Sequence, residues 1–244
     1  MIGLKEYISI YESKQEDLIK QFKRDYKNHY PKVYHTIKPE SDILIISQCG
    51  ATKNIISKDK KIQAKDMYIG PANKLLRDNL DDLNVDWVIL SGAYGLINSK
   101  TKINYYDDVF MDISPKTYID LKDFTKYNED LISIIKNHKY KKIIFTVGIR
   151  FLYSFNFQEI SNYIDDDCEV IISLPDQLED DDDFIIPKNI TTYKITDDIY
   201  KRFHCAEIFA KERIAIEYVK YIRKNKDIGF KNFLRNFSGK SLEK

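Results

Sequence analysis

The sequence predicts an α/β protein: a three-layer sandwich with a central four-stranded, mostly parallel sheet, plus N- and C-terminal helices. Three observations predict it. Four short apolar runs recur through the middle of the chain, at 43–47 (ILIIS), 87–90 (WVIL), 142–147 (KIIFTV) and 169–173 (EVIIS). Each has the length and β-branched content of a strand buried on both faces. Helix-like stretches at 69–82, about 114–138 and 150–163 separate them, and such alternation gives a parallel sheet with right-handed crossovers. Turn chemistry follows the strands, at Cys49-Gly50, Ser91-Gly92, Gly148 and Leu174-Pro175-Asp176.

Taken in chain order, residues 5–29 read as a helix, because Tyr7, Ile10, Tyr11, Leu18, Ile19 and Phe22 recur at helical spacing with charges between them. Pro31 and Pro39 bracket an irregular approach to the first strand. After Pro187 the pattern changes to an edge strand over 191–195, a long helix over 198–225 and a short one over 230–236 that follows Gly229. The expected organisation is an N-terminal helical extension (1–40), an α/β catalytic core (41–187) and a basic C-terminal helical segment packed on that core (188–244). A chain of 244 residues can bury a core without staples.

Net charge is +1, so no global field draws the protein onto nucleic acid. The charge is polarised, however. Residues 200–244 carry twelve Lys or Arg against five acids, which leaves that segment at +7. Asp165–Asp167 and the run 179–183 form an acidic pole. The basic end suits a polyanion partner or is a solvated helix face. Three separated cysteines, Cys49, Cys168 and Cys205, make no metal-binding or redox pair and fit a reducing compartment. No apolar run reaches the ~20 residues of a membrane span, and residues 1–14 lack a signal-peptide core. The expected location is the cytoplasm. His29, His35, His138 and His204 show no i,i+4 pairing, so neither a metal nor another cofactor is expected.

In open α/β sheets ligands bind at the carboxyl ends of the strands, and the polar motifs fall there. The first loop, Ser47-Gln48-Cys49-Gly50-Ala51-Thr52-Lys53-Asn54, lacks P-loop spacing. Its amides could hold a base edge or an anion, with Lys53 as a point charge; alternatively it is a plain turn with a surface lysine. The second, Ser91-Gly92-Ala93-Tyr94-Gly95-Leu96-Ile97, presents an aromatic between glycines. Tyr94 is then a stacking platform for a planar base or a core-capping tyrosine. Asn104-Tyr105-Tyr106-Asp107-Asp108 places carboxylates beside aromatics, suited to an oxocarbenium-like transition state or to an Asx turn. Asp66, near Pro71, reaches the cleft or caps a helix. Arg150 opens a helix and could bind phosphate. His204 is structural or faces a phosphate.

The series SQCGATKN, AKDMYIGP, WVILSGAYGLI and YYDD resembles a small prokaryotic family of base-modification domains. That family is similar to the domain beside archaeosine tRNA-guanine transglycosylases and, more distantly, to YaaA-like proteins. Strand order and loop placement resemble the uracil-DNA-glycosylase superfamily over roughly 41–177. Gln48, Cys49 and Lys53 match the first loop, Tyr68 the helix start, Ser91, Tyr94, Gly95 and Leu96 the second loop, and Tyr106 with Asp107 the final pair. Residues 173–177 (SLPDQ) lack the histidine of a uracil glycosylase, which points to a larger or modified base.

The resemblance implies a DNA glycosylase that hydrolyses the N-glycosidic bond of a flipped-out, modified base, as in phage defence. Asp107, Asp66, Gln48 and Asn54 are the expected catalytic set, with Asp176 as a further acid. Cys49, Tyr68, Ser91, Tyr94, Gly95 and Tyr106 are expected to bind the base. Lys53, Arg150, Lys201, Arg202 and His204 are expected to hold phosphates. The partner is DNA, as a duplex with a flipped nucleotide or a single strand. The alternatives are a 7-deazaguanine enzyme acting on tRNA and a non-enzymatic nucleic-acid sensor.

Overall fold

Six strands form the central sheet, and their order decides where a ligand can sit. The computed structural model describes residues 4–55, 60–107, 112–114, 117–174, 178, 184–206, 209–225 and 228–237. Asp108, Asp176 and the acidic run 179–183 lie outside the described residues. The strands are β1 (Ile43–Gln48), β3 (Asp86–Ser91), β4 (Gly95–Asn98), β6 (Lys142–Thr146), β7 (Glu169–Ser173) and β8 (Ile190–Tyr193), in the order β4-β3-β1-β6-β7-β8. Leu44–Ile46 and Val88–Leu90 are fully buried, as expected of parallel strands covered on both faces.

The expected four-stranded sheet is thus corrected to a mixed sheet of six. β8 pairs parallel with β7. β4 pairs antiparallel with β3, because the segment after Ser91 turns back as a hairpin instead of entering a helix. Gly95, at φ +76°, makes the turn. Two residues each of β2 (Ile62–Gln63) and β5 (Lys102–Ile103) form a separate antiparallel ladder.

Among the described residues the helices are α1 (Leu4–His29), α2 (Ala64–Met67), α3 (Pro71–Leu80), α4 (Thr117–Leu121), α5 (Tyr127–Lys136), α6 (Ile149–Tyr153), α7 (Phe157–Ser161), α8 (Asp197–Phe203), α9 (Ala210–Asn225) and α10 (Phe230–Asn236). Three expected helices are each split in two. Residues 114–138 give α4 and α5. Residues 150–163 give α6 and α7, where the Asn156 side chain accepts the Glu159 N–H at 3.2 Å and caps α7. Residues 198–225 give α8 and α9, because His204 at φ +48° ends α8 in a left-handed residue.

Right-handed crossovers place α3 on one face of the sheet and α5 to α7 on the other. α9 lies beside α3, with Lys220 Nζ donating to Asn79 Oδ1 at 3.1 Å. α1 reaches the opposite layer through Tyr26, whose ring meets Phe124 and Tyr127 at 5.7 and 5.8 Å. One apolar cluster runs from Phe22 to Phe237, so both terminal segments share the core of the sheet. No helix among the described residues is long and apolar enough to cross a membrane.

The C-terminal basic segment makes extensive internal contacts. Arg213 and Lys220 flank the buried Glu217 at 3.4 and 3.5 Å. Arg223 sits 3.3 Å from Asp42 and donates to the Asn84 carbonyl at 2.8 Å.

Candidate functional site

β1 and β3 are hydrogen-bonded neighbours, and the Cys49 N–H donates to the Leu90 carbonyl at 2.9 Å. The loops that leave them therefore start side by side. Behind them the Tyr68 hydroxyl lies 3.1 Å from Ser91 Oγ, Tyr106 OH lies 2.9 Å from Ser91 Oγ, and the two phenols are 2.9 Å apart. This closed triangle is buried, and each hydroxyl can both donate and accept around it. Ser91 Oγ also accepts the Tyr94 N–H at 3.2 Å. Lys53 is not a surface lysine. It is 8% exposed, its ammonium stands 4.4 Å from the Tyr106 ring centroid, and a strand bridge ties it to Tyr68. A desolvated cation over an aromatic ring contributes about 2 kcal/mol.

Tyr94 is the core-capping tyrosine rather than an open stacking platform, and that expectation is corrected here. It is 1% exposed, with His29 and Tyr106 rings at 4.9 and 5.5 Å. Its hydroxyl lies 3.1 Å from His29 Nδ1, accepts the Asn104 N–H at 3.2 Å, and donates to the Asn104 carbonyl. Burial raises the Tyr94 phenol above its ordinary pKa. Burial, helped by Lys32, lowers that of His29, so this pair stays uncharged. Gly95 presents backbone and no side chain, and it packs against Tyr30.

The two candidate acids sit on segments fastened to one another. Asp66 lies in α2 and Asp107 follows Tyr106; the β2–β5 ladder and the Tyr68–Tyr106 contact join these stretches. Asp107 is exposed and Asp66 half-buried. Asn54 links the first loop to α2: its N–H donates to the Met67 carbonyl at 2.8 Å and its amide to the Asp66 carbonyl at 3.4 Å. On the other flank of β1, Gln48 Oε1 accepts the Gly148 N–H at 2.6 Å.

Two buried polar atoms near this edge have no hydrogen-bond partner among the described residues. One is Arg150 Nε, in α6. The other is Oδ1 of Asn73, 5% exposed, in the first turn of α3. A Cβ on Gly50 would lie 3.3 Å from the Asn73 amide nitrogen. Sequence reasoning missed Asn73. Its signal was an amide in the first turn of a helix that starts at the strands' carboxyl edge. An unmet buried acceptor costs about 1–3 kcal/mol.

Lys201, Arg202 and His204 stand apart from this group. They follow β8, three strand spacings from β1, or about 14 Å. Arg202 pairs with Asp198 at 2.8 Å and donates to the Leu234 carbonyl, so it works as a helix tie; Lys201 and His204 are exposed. Among the described residues no group of three His, Cys, Asp or Glu side chains could hold a metal ion.

Residues 43–168, from β1 to the residue before β7, match the model of a family of unknown function, DUF6884. The chain belongs to that family. The matched region holds Asn73 and every expected site residue except Asp176 and those of α8 and its cap. No curated protein and no solved structure matches the chain.

Proposed function

We propose that the protein is an N-glycosidase that hydrolyses the bond between deoxyribose and a flipped-out, modified base in DNA. The observation that carries this reading is the fastening of the two acid-bearing segments. The buried Tyr68–Ser91–Tyr106 triangle and the β2–β5 ladder hold Asp66 and Asp107 on a rigid support at the strands' carboxyl edge. Glycoside hydrolysis needs a carboxylate held beside the sugar. It must stabilise positive charge at C1′ or orient the water whose oxygen bonds to C1′ while the base departs with the bonding electrons and gains a proton.

In this reading Asp107, the exposed acid, faces the sugar and Asp66 orients water. Gln48, partly exposed at the end of β1, stands nearest the base edge. Tyr105, half-buried beside Tyr106, supplies the aromatic face that the enclosed Tyr94 does not. The base must leave the duplex to reach them. Lys201 and His204 contact phosphates at a distance from the cleaved bond.

The test is incubation with DNAs that carry different modified bases, followed by alkali to cut abasic sites. One substrate at least should yield strand cuts, and Asp107→Asn should lower the excision rate by roughly 10²-fold or more. The reading falls if the wild-type protein leaves every DNA intact. It falls equally if Asp107→Asn and Asp66→Asn both excise at the wild-type rate.

A further inference from the structure

The surroundings of the four histidines set one of them apart. His35 has both ring nitrogens against carbonyl oxygens, that of Tyr30 at 2.9 Å and that of Leu96 at 3.1 Å. His138 meets the Ser41 carbonyl at 2.8 Å, just ahead of β1 and so at the opposite end of the strands from the candidate acids. His204 ends α8, beyond β8 at the far edge of the sheet. His29, in the last turn of α1, packs against Tyr94 and Tyr106 at the carboxyl edge of β3.

Its contacts decide which ring nitrogen carries the hydrogen. The Tyr94 hydroxyl has one hydrogen to give and two lone pairs to fill. The Asn104 N–H can only donate to it, at 3.2 Å, and the Asn104 carbonyl can only accept from it, at 3.3 Å. One lone pair is left for His29 Nδ1, at 3.1 Å, so all three contacts are made only when Nδ1 carries the hydrogen. In a neutral imidazole Nε2 then holds a lone pair. Burial, with Lys32 beside it and against the pull of Asp25, lowers the pKa of His29 and favours the neutral form. The ring is half-buried. Its Nε2 is neither hydrogen-bonded to the described residues nor among the buried polar atoms left unmet, so water can reach it.

The same contacts hold the imidazole beside the exposed acid. Tyr94 ties it to Asn104, and Asp107 follows three residues on, at most about 11 Å along the chain. The ring of Tyr106, the neighbour of Asp107, is 5.9 Å from the imidazole and 4.4 Å from Lys53 Nζ. An imidazole with one nitrogen fixed by a third group and the other left as a bare acceptor is arranged as a general base. A purely structural role would use Nδ1 and need nothing at Nε2.

We infer that His29 is the catalytic base of this site, with Nε2 taking a proton from the water whose oxygen bonds to C1′. The inference rests on the glycosidase reading, which supplies the reaction. As the C1′–N bond breaks, the departing base keeps the electron pair and takes a proton from solvent, and the imidazolium gives its proton back to solvent. Tyr94 becomes a positioning residue that holds the ring and keeps the hydrogen on Nδ1. The groups that set the charge of the imidazole are Asp25 and Lys32 from its own end of the chain, with the phenols of Tyr94 and Tyr106 facing it from the sheet side.

Two measurements on the full chain test it. Imidazole nitrogen-15 spectra near neutral pH read the tautomer without any substrate, and His29 should carry its hydrogen on Nδ1 and none on Nε2. Excision rates on a responsive modified DNA are the second. His29→Asn puts a donor where Nδ1 stood and removes Nε2; it should lower the rate by roughly 10²-fold or more while the melting temperature holds. The wild-type rate should fall as acid protonates Nε2, and the variant should lose that limb of the pH profile. Added imidazole should restore part of the rate to His29→Ala. A hydrogen on Nε2 in the spectra overturns the inference whatever the activity. So does a His29→Asn protein with the wild-type rate and pH profile, which leaves the glycosidase standing. A wild-type protein that leaves every DNA intact overturns the glycosidase and the step assigned to His29 together.

Discussion

At Gly95 the backbone runs at φ +76°, and a Cβ would sit 2.8 Å from two carbons of the Tyr30 ring and 3.2 Å from Asp130 Oδ2. Gly95→Ala meets a strained backbone and an aromatic wall together, so unfolding free energy should fall by about 2–4 kcal/mol in a urea titration. A loss below about 0.5 kcal/mol would show that Tyr30 moves aside freely. Tyr106→Phe is milder. It removes one corner of the hydroxyl triangle and leaves Tyr68 and Ser91 bonded to each other, for a loss of about 1 kcal/mol. Sequence reading named the members of this triangle as base-binding residues, Ser91 at a strand end and Tyr68 and Tyr106 by the family resemblance, and not as a buried hydroxyl network. It left open whether Tyr94 stacks on a base or caps the core and gave no sign that Lys53 is buried, since the rings that enclose them are brought in by the fold. Asn73 was passed over for a related reason: its signal, an amide in a first helical turn, is common, and only the unmet oxygen singles it out.

The elements were legible where one local pattern decides them. Four apolar β-branched runs became β1, β3, β6 and β7 within a residue or two, because both faces of each are buried and no alternation competes. The 230–236 helix was equally clear after its glycine. β4 was not, since GLIN is too short to carry a period and its pairing depends on the turn at Gly95. The long C-terminal helix was overextended because its apolar spacing continues through Phe203 and no Gly or Pro marks the break. His204 supplies the break with φ +48°, a conformation that is unfavourable by roughly 1 kcal/mol for a residue with a Cβ. His204→Gly should therefore raise unfolding stability by up to about 1 kcal/mol, and circular dichroism should show unchanged helix content. A stability loss would mean that the imidazole holds the α8–α9 corner by contacts of its own.

Across the whole molecule, acids buried on both sides of the sheet set how stability responds to pH. Glu212 opens α9 on one side. It is 3% exposed, and its Oε2 has no hydrogen-bond partner among the described residues. Burial pushes its carboxyl up to about 7, against the opposing pull of Lys211. Asp130, on the other side with Tyr30 and His35, is pushed up to about 6, again chiefly by burial. Each folded-state value lies above that of the unfolded chain, so the native protein holds these protons more tightly. The folded state is then unburdened below about pH 4.5. It loses stability as pH rises through the interval to about 7, where Glu212 must ionise in place. Glu212→Gln keeps the shape and abolishes the ionisation. Its unfolding free energy should match that of the wild type near pH 4.5 and exceed it at pH 8 by about 1–3 kcal/mol, given about 1.4 kcal/mol per unit of pKa difference. Urea titrations of both proteins at the two pH values measure this directly. An equal difference at both would show that Glu212 is already charged at pH 4.5 and that Lys211 outweighs burial.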